Sequence, residues 1–203
     1  MHISEGVLSA PVLISGAVLT AAGVTVGLKK MRDQDIPRTA LISAALFVAS
    51  LIRLPLGPTS VHLLLNGTAG IILGWQIFPA ILISLFLQSI LFQFGGITTL
   101  GINTLNIALP GIAAYYLFSF ARINSRVQLG IFSFISGGAA VFLTSVLVAF
   151  SLVFTEQSFL EIAKLAVISH LPLMIIEGII TVFVVFSIKK INVNILGGIR
   201  QDV

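Results

Sequence analysis

The sequence contains no cysteine and very little charge. Only 9% of its residues are Asp, Glu, Lys or Arg, whereas a soluble domain carries about 25%. The absence of cysteine excludes disulfides, thiolate metal sites and cysteine nucleophiles, so any metal must be bound by nitrogen or oxygen. The P-loop pattern G-x-x-x-x-G-K-[ST] and the hydrolase patterns H-E-x-x-H and G-x-S-x-G are also absent, which argues against ATP binding by a P-loop and against those hydrolase mechanisms. The basic residues form no stripe that would favour a nucleic-acid partner.

Hydrophobic residues dominate what is there. They make up 57% of the 203 positions, and the mean hydropathy is +1.12. No soluble fold of this size can bury that much apolar surface, so the composition predicts one transmembrane domain over residues 1–203. The N-terminus has an acid, Glu5, and no Lys or Arg before the first apolar stretch, which is not the pattern of a signal peptide. We therefore expect Met1 to remain the first residue.

Apolar stretches of about 20 residues predict an all-α membrane protein with about seven transmembrane helices. The predicted helices are 7–28, 39–54, two within 61–94 that are separated at 75–79, 104–121, 129–154, and a last one that has Pro172 near its start and ends before Lys189. The spacing of Ser158 and Glu161 is that of a capping box and predicts a short interfacial helix over 155–166.

Most basic residues fall on one side of this arrangement. Nine of the eleven do so: Lys29, Lys30, Arg32, Arg38, Arg122, Arg126, Lys189, Lys190 and Arg200. Because basic loops face the cytoplasm, the C-terminus is predicted to be cytoplasmic and Met1 to lie outside the cell inner (plasma) membrane.

Three histidines are the candidate metal ligands. By this topology His2, His62 and His170 all lie near the outer side, with His62 and His170 at the starts of the third and seventh helices. The free amine of Met1, the amide nitrogen of His2 and its imidazole can close two chelate rings on one cation. A further imidazole, His62 first, would complete a plane of four nitrogens, typical of Ni(II) or Cu(II). Alternatively, His2 is a residue of a disordered tail and the other two are ordinary interfacial residues.

Two polar features accompany the histidines. Glu177 lies two helical turns after His170 on the same face, within an apolar span. A buried acid needs a partner there, so Glu177 either serves the metal's path into the site or makes a structural bond to Arg53 or to a backbone amide. The uncharged tract Gly95–Asn103 cannot face lipid and is either a lid over the site or a plain outer turn.

Four stretches together resemble one known family. They are Met1-His2-Ile3-Ser4-Glu5-Gly6-Val7-Leu8, Thr59-Ser60-Val61-His62, Phe94-Gly95-Gly96-Ile97-Thr98-Thr99-Leu100-Gly101-Ile102-Asn103, and His170-Leu171-Pro172 with Glu177. In these residues the chain is similar to the CbiM/NikM family, the substrate-specificity components of energy-coupling-factor cobalt and nickel transporters.

The resemblance implies a seven-helix fold whose N-terminus inserts into the protein from outside. It implies a non-enzymatic transport subunit whose substrate, Ni²⁺ or Co²⁺, is bound by Met1, His2 and His62, with no organic cofactor. It also implies two kinds of partner, a transmembrane coupling protein and cytoplasmic ATPases. Small-residue pairs in the second helix are expected to face the coupling protein: Ala40 with Ala44, and Ala45 with Ala49. Residues expected beside the ligands or along the metal's path, without a ligand role, are His170, Glu177 and Asn103.

The choice of metal and the transport mechanism have alternatives. Planar nitrogen coordination favours nickel, whereas the family's name favours cobalt, and the stretch after His62 is more apolar than in the cobalt transporters. A self-sufficient channel or secondary carrier is the main alternative function, but it needs a polar route, and only Glu177 and Arg53 lie within the predicted spans. An intramembrane metalloenzyme would need an open coordination position, for which four planar nitrogens leave little room.

Overall fold

The described part of the chain folds into seven α-helices and one β-hairpin. The computed structural model describes residues 3–56, 59–122, 124–191 and 196, and only the backbone of 53–56, 59 and 60. The helices are α1 (Ala10–Lys29), α2 (Ile36–Ala49), α3 (Asn66–Leu73), α4 (Ile77–Phe92), α5 (Leu100–Phe118), α6 (Arg126–Thr155) and α7 (Leu160–Ile191). The hairpin consists of β1 (Arg53–Leu56) and β2 (Thr59–His62). Short 3₁₀ helices span Asp33–Asp35, Gly74–Gln76 and Gln157–Phe159.

The hairpin makes the all-α prediction wrong between α2 and α3. Its strands pair antiparallel, with Arg53 opposite His62. The second helix ends at Ala49 rather than at residue 54. Pro55 favours a strand over a longer helix here, since a proline disfavours the helical conformation for the residue before it. His62 consequently ends a strand and does not begin a helix, because α3 starts at Asn66.

Four stretches within the described residues are long and apolar enough to cross a membrane. They are Ala10–Lys29, Asn66–Phe92, Arg126–Thr155 and Gln157–Ile191. The second of these joins α3 to α4 through the 3₁₀ turn Gly74–Gln76, close to the predicted break. The remaining helices are shorter or more polar: α2 has 14 residues, and α5 has 19 with two buried asparagines. The chain is thus multi-pass, while seven spans and the orientation of the termini stay predictions.

The last helix runs without interruption, so the predicted separate interfacial helix over 155–166 is wrong. α7 begins at Leu160 and contains Pro172 in its interior. Glu161 pairs with Lys164, at 2.8 Å, instead of capping a helix of its own. A single proline removes one helical hydrogen bond, and membrane helices packed against neighbours tolerate this loss. His170 therefore lies eleven residues into α7 rather than at its start.

The central helix of the bundle is α5. It packs against α1, α3, α4 and α6. Its contact with α3 is close enough that a Cβ on Gly70 would overlap the backbone of Gly111. Small residues permit this approach, as in other membrane helix pairs. The first turns of α5 lie beside both the N-terminal segment and the region around the hairpin.

Candidate metal centre

The N-terminal segment is anchored to α5 by one asparagine. The Ile3 amide donates to Oδ1 of Asn103 at 3.0 Å, and Nδ2 of Asn103 donates to the Ile3 carbonyl at 3.0 Å. Ile3 is only 6% exposed, and Asn103 is buried as well. Asn103 lies in the first turn of α5 and not in the loop before it. The predicted ligands Met1 and His2 lie outside the described residues, and this anchor is where the described chain begins.

A second contact ties the same segment to the loop before α5. Oε1 of Glu5 accepts hydrogen bonds from the amide and the hydroxyl of Thr98, at 3.0 and 3.3 Å. Gly96, with φ +148°, lies so close that a Cβ there would overlap the Glu5 side chain. The Thr98 amide hydrogen bond is the main reason that the pKa of Glu5 is lowered. The glycine-rich tract therefore lies over the N-terminal segment, and whether it moves as a lid stays a prediction.

His62 presents one imidazole nitrogen with a lone pair. Its Nδ1 lies 2.9 Å from the carbonyl oxygen of Leu63. A carbonyl only accepts, so Nδ1 carries the proton and Nε2 carries the lone pair. Burial lowers the pKa of His62, and the hydrogen bond to Leu63 opposes that shift only in part. The neutral ring, with its second nitrogen bonded to a backbone carbonyl, is the form in which histidine binds metals.

A small cavity lies beside His62. Its volume is about 20 Å³, which is room for one water-sized ligand. Its polar lining residues besides the histidine are Ser50, Ser84 and Gln88, and Ile107 of α5 lines it as well. Asn103 and Ile107 are four residues apart and share one face of α5, so the Ile3 anchor and this cavity lie about 6 Å apart along the helix.

His170 is a second histidine whose Nε2 carries the lone pair. Its Nδ1 lies 2.6 Å from the carbonyl oxygen of Ala166 and is therefore the protonated nitrogen. Its Nε2 is buried and has no hydrogen-bond partner. The residue is 2% exposed. Buried polar atoms without partners are rare and indicate a ligand or an ordered water.

Glu177 holds the loop that connects His62 to α3. Its side chain is 1% exposed and accepts from the amides of Leu64, at 2.6 Å, and Leu65, at 3.0 Å to each carboxylate oxygen. Leu65 has the unusual φ of +50°, so this turn needs such support. Of the two structural partners that the sequence left open, the backbone amide is the observed one. Glu177 thus positions the chain next to His62.

Over the residues whose placement is described, no three histidine, aspartate or glutamate side chains converge as a metal site requires. Sequence reasoning did not include Glu5 among the site residues, although it belongs to the first matching stretch. Its role depends on Thr98, 93 positions away.

Comparisons with known proteins agree on one family. The family model described as "CbiM: Cobalt uptake substrate-specific transmembrane region" matches residues 2–195. A putative metal transport protein of Haemophilus influenzae is 42% identical over 203 residues, covering 97% of each chain. The fused nickel transport protein NikMN of Rhodobacter capsulatus is 38% identical over 163 residues, 72% of this chain and 46% of that protein. A crystal structure described as a truncated transition metal transporter superposes with a TM-score of 0.72 at 25% identity, over 94% of this chain and 99% of the other.

Proposed function

Because the chain belongs to the CbiM family of cobalt and nickel transport membrane components, we propose that it is the metal-capturing subunit of an ATP-driven importer of the energy-coupling-factor type. In this proposal Ni²⁺ or Co²⁺ is the transported substrate. Its ligands are the amine of Met1, the amide nitrogen and imidazole of His2, and the imidazole of His62. The protein resides in the inner (plasma) membrane and is not itself an enzyme.

The observation that carries the proposal is the geometry along α5. Asn103 holds the main chain of Ile3 on both sides, and one turn further Ile107 lines the cavity beside His62. Two residues of chain reach at most about 7 Å, so a chelate formed by Met1 and His2 stays close to this wall. Four nitrogens, one of them a deprotonated amide, favour a planar site and therefore nickel over cobalt.

The residues around the ligands have supporting roles in this proposal. Asn103 and Glu5 hold the N-terminal segment, and Glu177 holds the loop behind His62. His170 supplies an unpaired Nε2 on the metal's path into or out of the site. Each of these side chains already has a hydrogen-bond partner that orients it, which is the arrangement that keeps metal ligands in place.

Partners supply the energy in this proposal. The chain has no P-loop sequence, and the Rhodobacter relative is by name a fusion of two transport components. On α2, Ala40, Ala44 and Ala45 are exposed, as a contact with the coupling protein requires. Ala49 does not contribute to such a contact, because it is only 4% exposed within the protein itself.

Metal binding by purified protein tests the ligand set. The wild-type chain is compared with a variant that carries one extra residue before Met1, which displaces the free amine but retains every side chain. We expect about one Ni²⁺ or Co²⁺ per wild-type chain and much weaker binding by the extended form. Equal binding by both forms would refute the terminal chelate. Metal uptake into vesicles that contain this chain and no ATPase would instead favour the channel or secondary carrier.

A further inference from the structure

A larger cavity lies at the far end of α5 from the candidate metal centre. Its volume is about 320 Å³, and it lies between the end of α1, the start of α2 and the last turn of α5. Twelve residues of α5 separate Asn103 from Tyr115, which corresponds to about 18 Å along the helix. The cavity is therefore separate from the metal centre, and it lies at the end of the bundle where the basic residues collect.

The charged wall of this cavity has more positive than negative groups. Asp35 is buried and accepts from Nε of Arg32, from an Nη of Arg38 and from Nε2 of Gln76, each at 3.2 Å. Lys30 also lines the cavity. One carboxylate opposite three cations leaves two positive charges uncompensated. These uncompensated charges attract an anionic group to the cavity.

Aromatic side chains also line the cavity. They are Trp75, Tyr115 and Tyr116. Nζ of Lys30 lies 5.3 Å from the centre of the Trp75 ring, and Nε1 of Trp75 donates to the Tyr116 hydroxyl at 3.0 Å. Tyr116 is 50% exposed. Tryptophan and tyrosine at the ends of membrane helices characteristically lie at the level of the lipid headgroups.

We propose that this cavity binds the phosphate-containing headgroup of an anionic phospholipid. Basic pockets between membrane helices bind such headgroups, and here the buried network of Asp35 and Gln76 holds the two arginines in place before the ligand arrives. The exposed Tyr116 is of the residue type that contacts headgroups at the ends of membrane helices. This inference does not depend on the metal-binding proposal, because the two sites have no residue in common.

Native mass spectrometry of the detergent-purified full chain tests the inference. Phosphatidylglycerol and phosphatidylcholine are titrated separately into the wild type, the single variant Lys30→Gln and the double variant Lys30→Gln/Arg38→Gln. Lys190→Gln, an exposed residue at the end of α7, is the matched control for net charge. Thermal unfolding of each variant shows whether it is folded, and Lys30→Gln retains every contact of Asp35.

We expect retained phosphatidylglycerol on the wild type and little phosphatidylcholine. Binding should weaken about fivefold for each cavity cation removed, the usual contribution of a basic residue near an anionic surface, and should not change in Lys190→Gln. Equal retention of the two lipids, or equal weakening by Lys190→Gln, would overturn the inference. Displacement of the lipid by millimolar inorganic phosphate would show that the site recognises a free anion, and would overturn the lipid as its source.

Discussion

Replacing Asn103 by alanine should weaken metal binding without touching any proposed ligand. The substitution removes both hydrogen bonds that hold the Ile3 main chain, each worth about 1 kcal/mol. If the freed segment must be ordered again when the metal binds, the cost is about 2 kcal/mol, which corresponds to roughly a 30-fold increase in Kd. The expected phenotype is thus a large loss of affinity in a protein with its ligands intact.

The control for this prediction is on the same helix. Asn106→Ala also removes a buried amide hydrogen bond, the one to Ser151 at 3.0 Å, and does not involve Ile3. Both variants should lose similar free energy of unfolding, whereas only Asn103→Ala should lose affinity for Ni²⁺ in isothermal titration calorimetry. Unchanged affinity in Asn103→Ala, or an equal loss in Asn106→Ala, would refute the reasoning that the anchor prepares the site.

Three further outcomes are expected. Glu177→Gln should lower the thermal unfolding temperature and weaken nickel binding. The glutamine side chain places an NH₂ group near the backbone amides of the loop, from which the carboxylate of Glu177 accepts hydrogen bonds. Unchanged stability would show that the loop does not need the charge. His62→Gln should abolish stoichiometric metal binding. His170→Gln should retain metal binding but slow the release of the metal to an added chelator. Loss of binding in both variants would show that His170 is a ligand. The pKa of Glu5 is lowered from 4.5, so its contact with Thr98 is complete above pH 4.5 and is lost as the pH falls through the lowered pKa. In the wild type, the hydrogen-exchange rate of the Thr98 amide should therefore rise in that pH range. The variant Glu5→Gln should show no such step.

Several properties of the candidate site could be predicted from the residues alone. The lack of cysteine restricts any metal to nitrogen and oxygen ligands, and only three histidines exist to supply imidazoles. The four family-like stretches contain His62, His170 and Glu177, and also Glu5 and Asn103. Residue types and short spacings determine such properties, because chelation by adjacent groups and burial in lipid depend on local composition.

Helix boundaries near the site could not be predicted in the same way. Hydropathy alone extended the second helix to residue 54, and the structure has a hairpin there whose second strand ends at His62. The same signal treated Pro172 as marking the start of a span, although α7 continues through it. An apolar residue satisfies the hydropathy pattern equally well in a helix, a strand or a turn, and packing against neighbours decides among them.

The sequence by itself determined that this is a membrane protein of few charges with three histidines and no cysteine. Only the tertiary structure decided which contacts hold the N-terminal segment and the loop after His62. Asn103 reaches Ile3 across 100 positions, and Glu177 reaches Leu64 across 113. The physical reason is that composition and periodicity are sums over neighbouring residues, whereas these hydrogen bonds exist only once α5 and α7 have packed beside the N-terminal segment and the loop after His62.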